Sequence, residues 1–217
     1  MTRPVALVTG ASRGLGFATA RALGGRGHHV VALARTVGGL EDVADAISAA
    51  GGASTLVPLD ITDEGGLQRM AAAIHQRWGR LDLLVHCAAH AAALSPAGHV
   101  SEKDLDRSFA VNARATQRLI AMCDPLLRAA PNGTAMFIDD PRGGEKFFTA
   151  YGASKAAARA IVESYAAESR RTGPVVHLHR PNPMPTAIRA RFFPGEDRSG
   201  LATPDQEAAR LLELLPG

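Results

Sequence analysis

Short apolar runs alternate along the chain with longer stretches of helical periodicity. The runs consist almost entirely of Val, Leu and other apolar residues, which is typical of parallel strands buried on both faces of a sheet. Six strands are predicted in this way: Val5–Thr9, His29–Ala34, 55–58, 81–87, Thr134–Ile138 and Val175–His179. Helices are predicted between them near 14–25, 39–50, 64–78, 104–130 and 150–172. This alternation predicts an α/β fold with a doubly wound parallel sheet and helices on both faces.

Turn and capping residues mark the ends of several elements. Ser101 with Asp104 resembles a capping box that opens the fourth helix, and Thr203 with Gln206 opens a short final helix. The segment 182–203 carries several Pro and Gly residues and is predicted to be a long loop. Because long loops in compact domains often cover binding sites, we expect 182–203 to be a substrate loop.

Length and composition narrow the class of protein. The chain has 217 residues, of which 46% are hydrophobic and 21% charged, and it shows no linker or repeat, so a single domain over 1–217 is expected. No apolar run approaches the roughly 20 residues that span a bilayer. Two cysteines, Cys87 and Cys123, form neither a disulfide framework nor a metal cluster. We therefore expect a reduced, cytoplasmic protein with no metal site and no membrane partner.

The charged residues argue against a nucleic-acid partner. The net charge is +3, but the arginines are spread along the chain and form no block, which is typical of solvated surfaces. Only three lysines are present, Lys103, Lys146 and Lys155. A lysine in a motif therefore stands out in this arginine-rich chain.

A glycine-rich turn, TGASRGLG from Thr9 to Gly16, joins the first strand to the first helix. Glycines in such a turn permit the tight bend, the approach of the backbone to a pyrophosphate, and close packing of helix on strand. The helix N-terminus offers free N–H groups to the phosphates. A dinucleotide site is therefore predicted, and a turn without a ligand is the alternative. The predicted contacts are Gly10, Ser12, Arg13, Gly14, Leu15 and Gly16.

The end of the second strand distinguishes NADP from NAD. An acidic residue there would bind the ribose 2′-hydroxyl of NAD, but Arg35 follows this strand and the first carboxylate is Glu41. Arg13 lies in the glycine turn, so two guanidiniums near the ribose would favour the 2′-phosphate of NADP. NADPH is therefore predicted to bind more tightly than NADH, and two ordinary surface arginines are the alternative.

Tyr151 and Lys155 are four residues apart and lie on one face of a predicted helix. A nearby ammonium stabilises a phenolate and lowers the pKa of tyrosine from its ordinary value near 10. Such a shift would make Tyr151 a general acid or base near neutral pH. Taken alone, the pair also occurs on helices by chance.

Together, the glycine turn and this pair resemble the short-chain dehydrogenase/reductase family over nearly the whole chain. The family pattern TGxxxGxG is matched from Thr9 to Gly16, and YxxxK from Tyr151 to Lys155. The resemblance implies a single Rossmann-type domain that transfers hydride between NADP(H) and a small carbonyl or alcohol. It also implies that Tyr151 exchanges a proton with the substrate oxygen, while Lys155 holds the nicotinamide ribose and tunes Tyr151.

Further positions match the family. Asp60, followed by Ile61, matches the aspartate that contacts the adenine end of the cofactor, and Asn112 matches the catalytic asparagine that supports a water-linked proton relay. The family's Pro-Gly after the sixth strand is Pro181-Asn182 here, and we expect Asn182 to adopt a positive φ in place of glycine.

The family's Asn-Asn-Ala-Gly loop, which lies against the adenosine half of the cofactor, is replaced in this chain. It is here His86, Cys87, Ala88 and Ala89, and the methyl group of Ala89 is expected to weaken cofactor binding. His86 and Cys87 lack the further spaced ligands that a metal site needs.

The family's catalytic serine is also replaced. Its position falls on Asp140, or on Asp139 if the alignment slips by one residue. An ionised carboxylate accepts hydrogen bonds but donates none, and near Tyr151 it would oppose phenolate formation. A protonated carboxyl group could donate instead, or the carboxylate could pair with Arg142 or Lys146 outside the site. We predict slow carbonyl reduction that becomes faster in Asp140→Ser.

Two functions therefore follow from the sequence. One is an NADP-dependent oxidoreductase with a Tyr–Lys acid/base pair, and the other is an NADP-binding protein with little catalysis that acts as a sensor or structural partner. Family members commonly pair through the helices at 104–130 and 150–172, which implies a homodimer. No seventh strand is predicted after the helix at Thr203, so Val175–His179 is expected at a sheet edge and a dimer is favoured over a tetramer.

Overall fold

The computed structural model describes residues 3–215, and its six strands form one parallel sheet. The strands are β1 (Val5–Thr9), β2 (His29–Ala34), β3 (Ala53–Pro58), β4 (Leu83–His86), β5 (Thr134–Ile138) and β6 (Val175–His179). Their order is β3-β2-β1-β4-β5-β6, so the chain winds outward from β1 to one edge and then, from β4, to the other. This confirms the predicted doubly wound parallel sheet.

Helices cover both faces of the sheet. They are α1 (Gly14–Gly25), α2 (Val37–Ala49), α3 (Glu64–Trp78), α4 (Glu102–Ser108), α5 (Ala115–Arg128), α6 (Thr149–Ser169), α7 (Ala187–Phe192) and α8 (Pro204–Leu212). On one face α1 contacts both α2 and α8, whereas on the other face α5 contacts both α3 and α6.

Successive strand residues face opposite cores. Leu7 and Val31 pack in the core beneath α3, α5 and α6, whereas Val8 and Val30 pack beneath α1, α2 and α8. The inner strands are buried on both faces, which explains their continuous apolar sequences. The edge strands β3 and β6 are mostly half-buried.

The helix predicted over 104–130 is divided in three. A π-helical turn, Phe109–Arg114, separates α4 from α5. Within this turn, the Asn112 side chain hydrogen-bonds to the backbone of His90 outside the helix, and the Thr116 hydroxyl donates to the Asn112 carbonyl at 2.7 Å. Such turns are frequent at functional sites, because they redirect side chains within a helix.

The segment 182–203 contains α7, which the sequence prediction missed. The Thr186 hydroxyl caps this helix by accepting a hydrogen bond from the backbone N–H of Arg189. With only six residues, α7 is too short to show a helical period of apolar positions.

Several predicted details are confirmed. The capping box of Thr203 and Gln206 is formed at α8, and Ser101 caps α4 through the N–H of Asp104. Within residues 3–215, β6 is an edge strand, as expected. The helices of this part of the chain include none that is both long and apolar enough to cross a membrane.

Candidate active site

A cleft of about 1000 Å³ opens at the carboxyl ends of the strands, around the point where the winding direction changes between β1 and β4. Open α/β sheets bind their ligands at this point. All the residues that the sequence assigned to cofactor binding or catalysis line this cleft: Gly10, Ser12, Arg13, Gly14, Leu15, Gly16, Arg35, Asp60, Ile61, Cys87, Ala88, Ala89, Asn112, Asp140, Tyr151, Lys155 and Pro181.

The glycine turn is shaped by close backbone contacts. A Cβ atom on Gly16 would lie 2.3 Å from the carbonyl oxygen of Gly10, and one on Gly10 would lie 2.8 Å from the nitrogen of Ala88. Gly10 and Gly14 also have φ angles of +69° and +58°, which side chains other than glycine rarely adopt. The turn therefore brings α1 against β1 and against the loop after β4, and its shape depends on glycine.

Two arginines line the cleft: Arg13 at the N-terminus of α1, and Arg35 directly after β2. Both side chains are exposed, and neither forms an ion pair within residues 3–215. Two uncompensated guanidiniums at this end of the cleft suit a phosphate, since guanidinium groups bind phosphate oxygens in bidentate fashion. The residues present therefore fit a dinucleotide with a 2′-phosphate.

Asp60 follows β3 and is held by several donors. Its carboxylate accepts hydrogen bonds from the Thr62 backbone and hydroxyl at 2.9 and 2.7 Å, and from Arg107 at 2.7 Å. Partial burial acts to raise the pKa of Asp60, but these donors and the Arg107 charge together lower it to about 2. Asp60 is thus an ionised acceptor that lines the cleft, and Arg107 is a partner that the sequence analysis missed.

Tyr151 and Asp140, the predicted catalytic residues, contact each other within the cleft. Tyr151, in the first turn of α6, donates its hydroxyl to Oδ2 of Asp140 at 3.1 Å, and Arg142 donates to Oδ1 of the same carboxylate at 3.0 Å. The preceding carboxylate, Asp139, turns away and pairs with Arg159. Asp140 therefore lies next to the Tyr151 hydroxyl. Its ion-pair partner is Arg142 and not Lys146.

The expectation that Lys155 lowers the pKa of Tyr151 is wrong. Burial and the charge of Asp140 raise the pKa of Tyr151 well above its ordinary value, and the tyrosine is held protonated. The Lys155 ammonium donates to the carbonyl of Ile138 at 2.5 Å. Burial lowers the pKa of Lys155, whereas the charges of Asp139 and Asp140 act to raise it.

Asn112 joins the loop after β4 to α6. Its Oδ1 accepts from the N–H of His90 at 2.7 Å, and its Nδ2 donates to the carbonyl of His90 and to the Ser154 hydroxyl, both at 2.9 Å. The side chain is almost fully buried. It therefore fixes the position of His90 relative to the helix that carries Tyr151.

His86 forms a buried chain of hydrogen bonds that the sequence analysis did not anticipate. Its Nδ1 lies 2.7 Å from the hydroxyl of Thr9, and its Nε2 lies 2.9 Å from the hydroxyl of Thr116. Because Thr116 donates its hydrogen to Asn112, His86 must donate from Nε2 and accept from Thr9 at Nδ1. Burial lowers the pKa of His86 to about 3, so this neutral form persists across the physiological range.

An aromatic wall closes the catalytic end. The Phe192 ring packs edge-on against Tyr151 with centroids 4.8 Å apart. The guanidiniums of Arg142 and Arg189 lie 5.6 and 4.6 Å from the centroid of the Phe193 ring. These two phenylalanines and Met184 line the cleft. Arg142 and Arg189 belong to no recognisable sequence motif, so their contacts with Phe193 are seen only in the folded chain.

The expectation for Asn182 is also wrong. Among residues 3–215 the only non-glycine residue with a positive φ is Phe147. Asn182 instead donates from its backbone and side-chain amides to the buried Glu207 on α8, at 2.8 and 2.9 Å. These bonds anchor the start of segment 182–203 without the left-handed turn that glycine would supply.

Cys87 lines the cleft as a free thiol. Burial raises its pKa to about 12, so it remains protonated. Residues 3–215 contain no group of three or more His, Cys, Asp or Glu side chains arranged to hold a metal ion.

Comparison with solved structures relates this fold to dehydrogenases. The short chain dehydrogenase from Shigella flexneri superposes with a TM-score of 0.86 and 28% identity, covering 97% of this chain and 85% of that one. A metagenomic short-chain oxidoreductase in complex with NADP superposes with a TM-score of 0.83 and 31% identity, covering 97% of this chain and 90% of that one.

Sequence comparison agrees with the structural likeness. A fatty acyl-CoA reductase of Acinetobacter baylyi is 32% identical over 169 residues, which cover 76% of this chain and 57% of the length of that enzyme. The family model described as short chain dehydrogenase matches residues 4–197. The chain belongs to the short-chain dehydrogenase family.

Proposed function

We propose that this chain binds NADP(H) and transfers hydride between its nicotinamide and a small carbonyl or alcohol. The observation that carries the proposal is a single cleft that holds the Tyr151 hydroxyl and, away from it, two arginines without an ion-pair partner in residues 3–215. The related metagenomic oxidoreductase in complex with NADP supports the choice of cofactor.

The cofactor would be held along the whole cleft. NADPH supplies the hydride when bound, and NADP⁺ accepts it. The glycine turn and the α1 N-terminus would bind the diphosphate, and Arg13 and Arg35 the 2′-phosphate. Asp60 and Ile61 would contact the adenine, and Lys155 the nicotinamide ribose. The remaining contacts would come from the backbone of Cys87, Ala88, Ala89 and Pro181.

Tyr151 is the proton donor in this proposal. Its hydroxyl would hydrogen-bond the substrate oxygen and give up its proton when a carbonyl is reduced. To do so it must leave Asp140, whose negative charge stabilises the protonated tyrosine and disfavours the phenolate. Slow reduction of generic carbonyl substrates is therefore expected.

A second candidate is an NADP-binding protein with little or no catalysis. The hydrogen bond from Tyr151 to Asp140 favours this second candidate, because the hydroxyl that would donate the proton is already bound to the Asp140–Arg142 pair. A sensor or structural role would need the cofactor cleft but not a free Tyr151 hydroxyl.

Cofactor titration and a substrate panel separate the two candidates. We expect wild-type protein to bind NADPH more tightly than NADH, and Arg35→Ala to lose about tenfold in NADPH affinity, as removal of one charge-assisted hydrogen bond predicts. With NADPH, any turnover found on the panel should fall by at least about 100-fold in Tyr151→Phe. NADPH binding without turnover on any substrate would favour the second candidate.

We also propose a homodimer formed through the helices at 104–130 and 150–172. The outer surface of α6 exposes the small side chains Ala153, Ala156 and Ala160, which permit close packing of two helices. Light scattering should give the mass of two chains, and a monomeric mass would refute this assembly.

A further inference from the structure

Two arginines on α7 differ in their partners. Arg189 is neutralised by Glu196, to which it donates two hydrogen bonds of 2.6 and 2.5 Å. Arg191 is exposed, lines the cleft, and forms no ion pair or hydrogen bond with other side chains of residues 3–215. Its charge is therefore available to a ligand in the cleft.

His90 lies across the cleft from α7 and is rigidly placed. Asn112 holds both its backbone N–H and its carbonyl, at 2.7 and 2.9 Å. The His90 ring lines the cleft, and its Nε2 is buried without a hydrogen-bond partner in the described part of the chain. A buried polar atom without a partner is costly, so this nitrogen is suited to meet a ligand.

His90 shares the cleft with three arginines from separate segments, Arg35, Arg107 and Arg191. Burial is the main cause that lowers the pKa of His90, and the charges of Arg107, Arg191 and Arg35 add to it. Asp60 pairs with Arg107 at 2.7 Å, but Arg35 and Arg191 have no carboxylate partner within residues 3–215. This uncompensated positive charge in a cleft attracts an anion.

The helix α7 carries Arg191 one residue before its end, and the Arg191 side chain lines the cleft. At the start of α7, Thr186 lies near the glycine turn: a Cβ atom on Gly14 would be 3.4 Å from its Cγ2. At the end of α7, Phe192 packs on Tyr151. The helix thus crosses from the phosphate-binding turn to the catalytic tyrosine, and the linking diphosphate of a bound dinucleotide would lie below it.

We propose that Arg191, together with His90, binds the diphosphate of the dinucleotide from the side of the cleft formed by α7 and the loop after β4. The inference rests on the proposed NADP(H) binding and adds two residues outside the glycine turn to that site. A guanidinium and a neutral imidazole supply the donors that phosphate oxygens accept. The carboxylate or phosphate of an anionic substrate is the other source of the same chemistry.

Direct binding measurements distinguish these sources without any assay of turnover. Dissociation constants for NADPH and NADH are measured by calorimetry for the wild type, Arg191→Ala, Arg35→Ala and Arg198→Ala. Arg198 is the matched control, because it is exposed in the same segment and does not line the cleft. Arg191→Lys retains the charge without the bidentate geometry and should lose less affinity than Arg191→Ala.

We expect Arg191→Ala to weaken NADPH and NADH alike by about tenfold, because both carry the diphosphate. Arg35→Ala should weaken NADPH alone, and Arg198→Ala neither. A loss confined to NADPH in Arg191→Ala would overturn the assignment in favour of the 2′-phosphate. Unchanged affinity for both would overturn it in favour of a substrate anion or no ligand. Failure of wild-type protein to bind either dinucleotide would instead contradict the proposed function.

Discussion

The two ends of the cleft are built by different kinds of contact. At the end formed by the glycine turn, the backbone is packed so closely that Gly10 and Gly16 leave no room for a methyl group. At the catalytic end, side chains from distant segments set the arrangement, since Tyr151 donates to Asp140 and Phe192 covers its ring. A binding surface made of backbone tolerates little change, whereas a catalytic end made of side chains can be altered by one substitution without disturbing cofactor binding.

Gly16→Ala should give the largest effect, at the glycine-turn end of the cleft. The new methyl group would lie 2.3 Å from a backbone oxygen that cannot move without shifting β1, so NADPH binding should be lost. Overpacking of this kind costs about 3 kcal/mol of unfolding free energy. Denaturant unfolding and dinucleotide titration measure both effects.

Gly38→Ala is the matched control for that substitution. It lies within α2, and a Cβ atom there would meet no atom within 4 Å. Alanine should therefore stabilise the protein by up to about 1 kcal/mol and leave NADPH affinity unchanged. Equal effects of the two substitutions would contradict the view that backbone contacts shape this end of the cleft.

The ionisation of Tyr151 tests the catalytic end. The chain has two tyrosines, so Tyr165→Phe leaves Tyr151 as the only phenol. In this background the pKa of Tyr151 should lie above its ordinary value near 10, and Asp140→Ser should lower it because the neighbouring negative charge is removed. Ultraviolet absorbance of the phenolate reports both titrations. A Tyr151 pKa unaffected by Asp140→Ser would show that the carboxylate does not restrain the tyrosine.

A smaller effect is expected at the Asp60–Arg107 pair. The pKa of Asp60 is lowered from 3.8 to about 2, so its contribution to stability is present above pH 4 and is lost as the pH falls towards 2. Asp60→Asn should therefore reduce stability at pH 7 by about 1 kcal/mol or less, since the pair is one-third exposed.

Thermal unfolding across this pH range measures that difference. Arg107→Ala should produce a similar loss, and the double variant should lose less than the sum of the two. A difference between wild type and Asp60→Asn that grows below pH 4 would contradict the direction of the pKa shift.

Local patterns in the sequence predicted the sheet and the glycine turn. The buried strands are continuous apolar runs in the sequence. The position of the glycines between β1 and α1 predicted where the cleft lies. The motif residues therefore reach a common cleft once the strand order is known. The segment 182–203 was less predictable, because six residues are too few for α7 to show a helical period.

The catalytic end depends on contacts that no local pattern encodes. Asp139 and Asp140 are adjacent but have different partners. The backbone N–H of Asp139 donates to the carbonyl of His179, and its side chain pairs with Arg159. The side chain of Asp140 instead accepts from Tyr151. The pKa of Tyr151 depends on whether a carboxylate or an ammonium lies at its hydroxyl. The spacing of Tyr151 and Lys155 favoured the ammonium, but the fold places Asp140 there.

The rate of NADPH-dependent carbonyl reduction in wild type, Asp140→Ser and Asp140→Ser/Tyr151→Phe tests the central claim most directly. If Tyr151 is the proton donor and Asp140 restrains it, Asp140→Ser should be faster than wild type by about tenfold, since a hydroxyl replaces the opposing charge. The double variant should be inactive. Robust wild-type turnover that falls in Asp140→Ser would contradict the claim, because Asp140 would then assist the reaction.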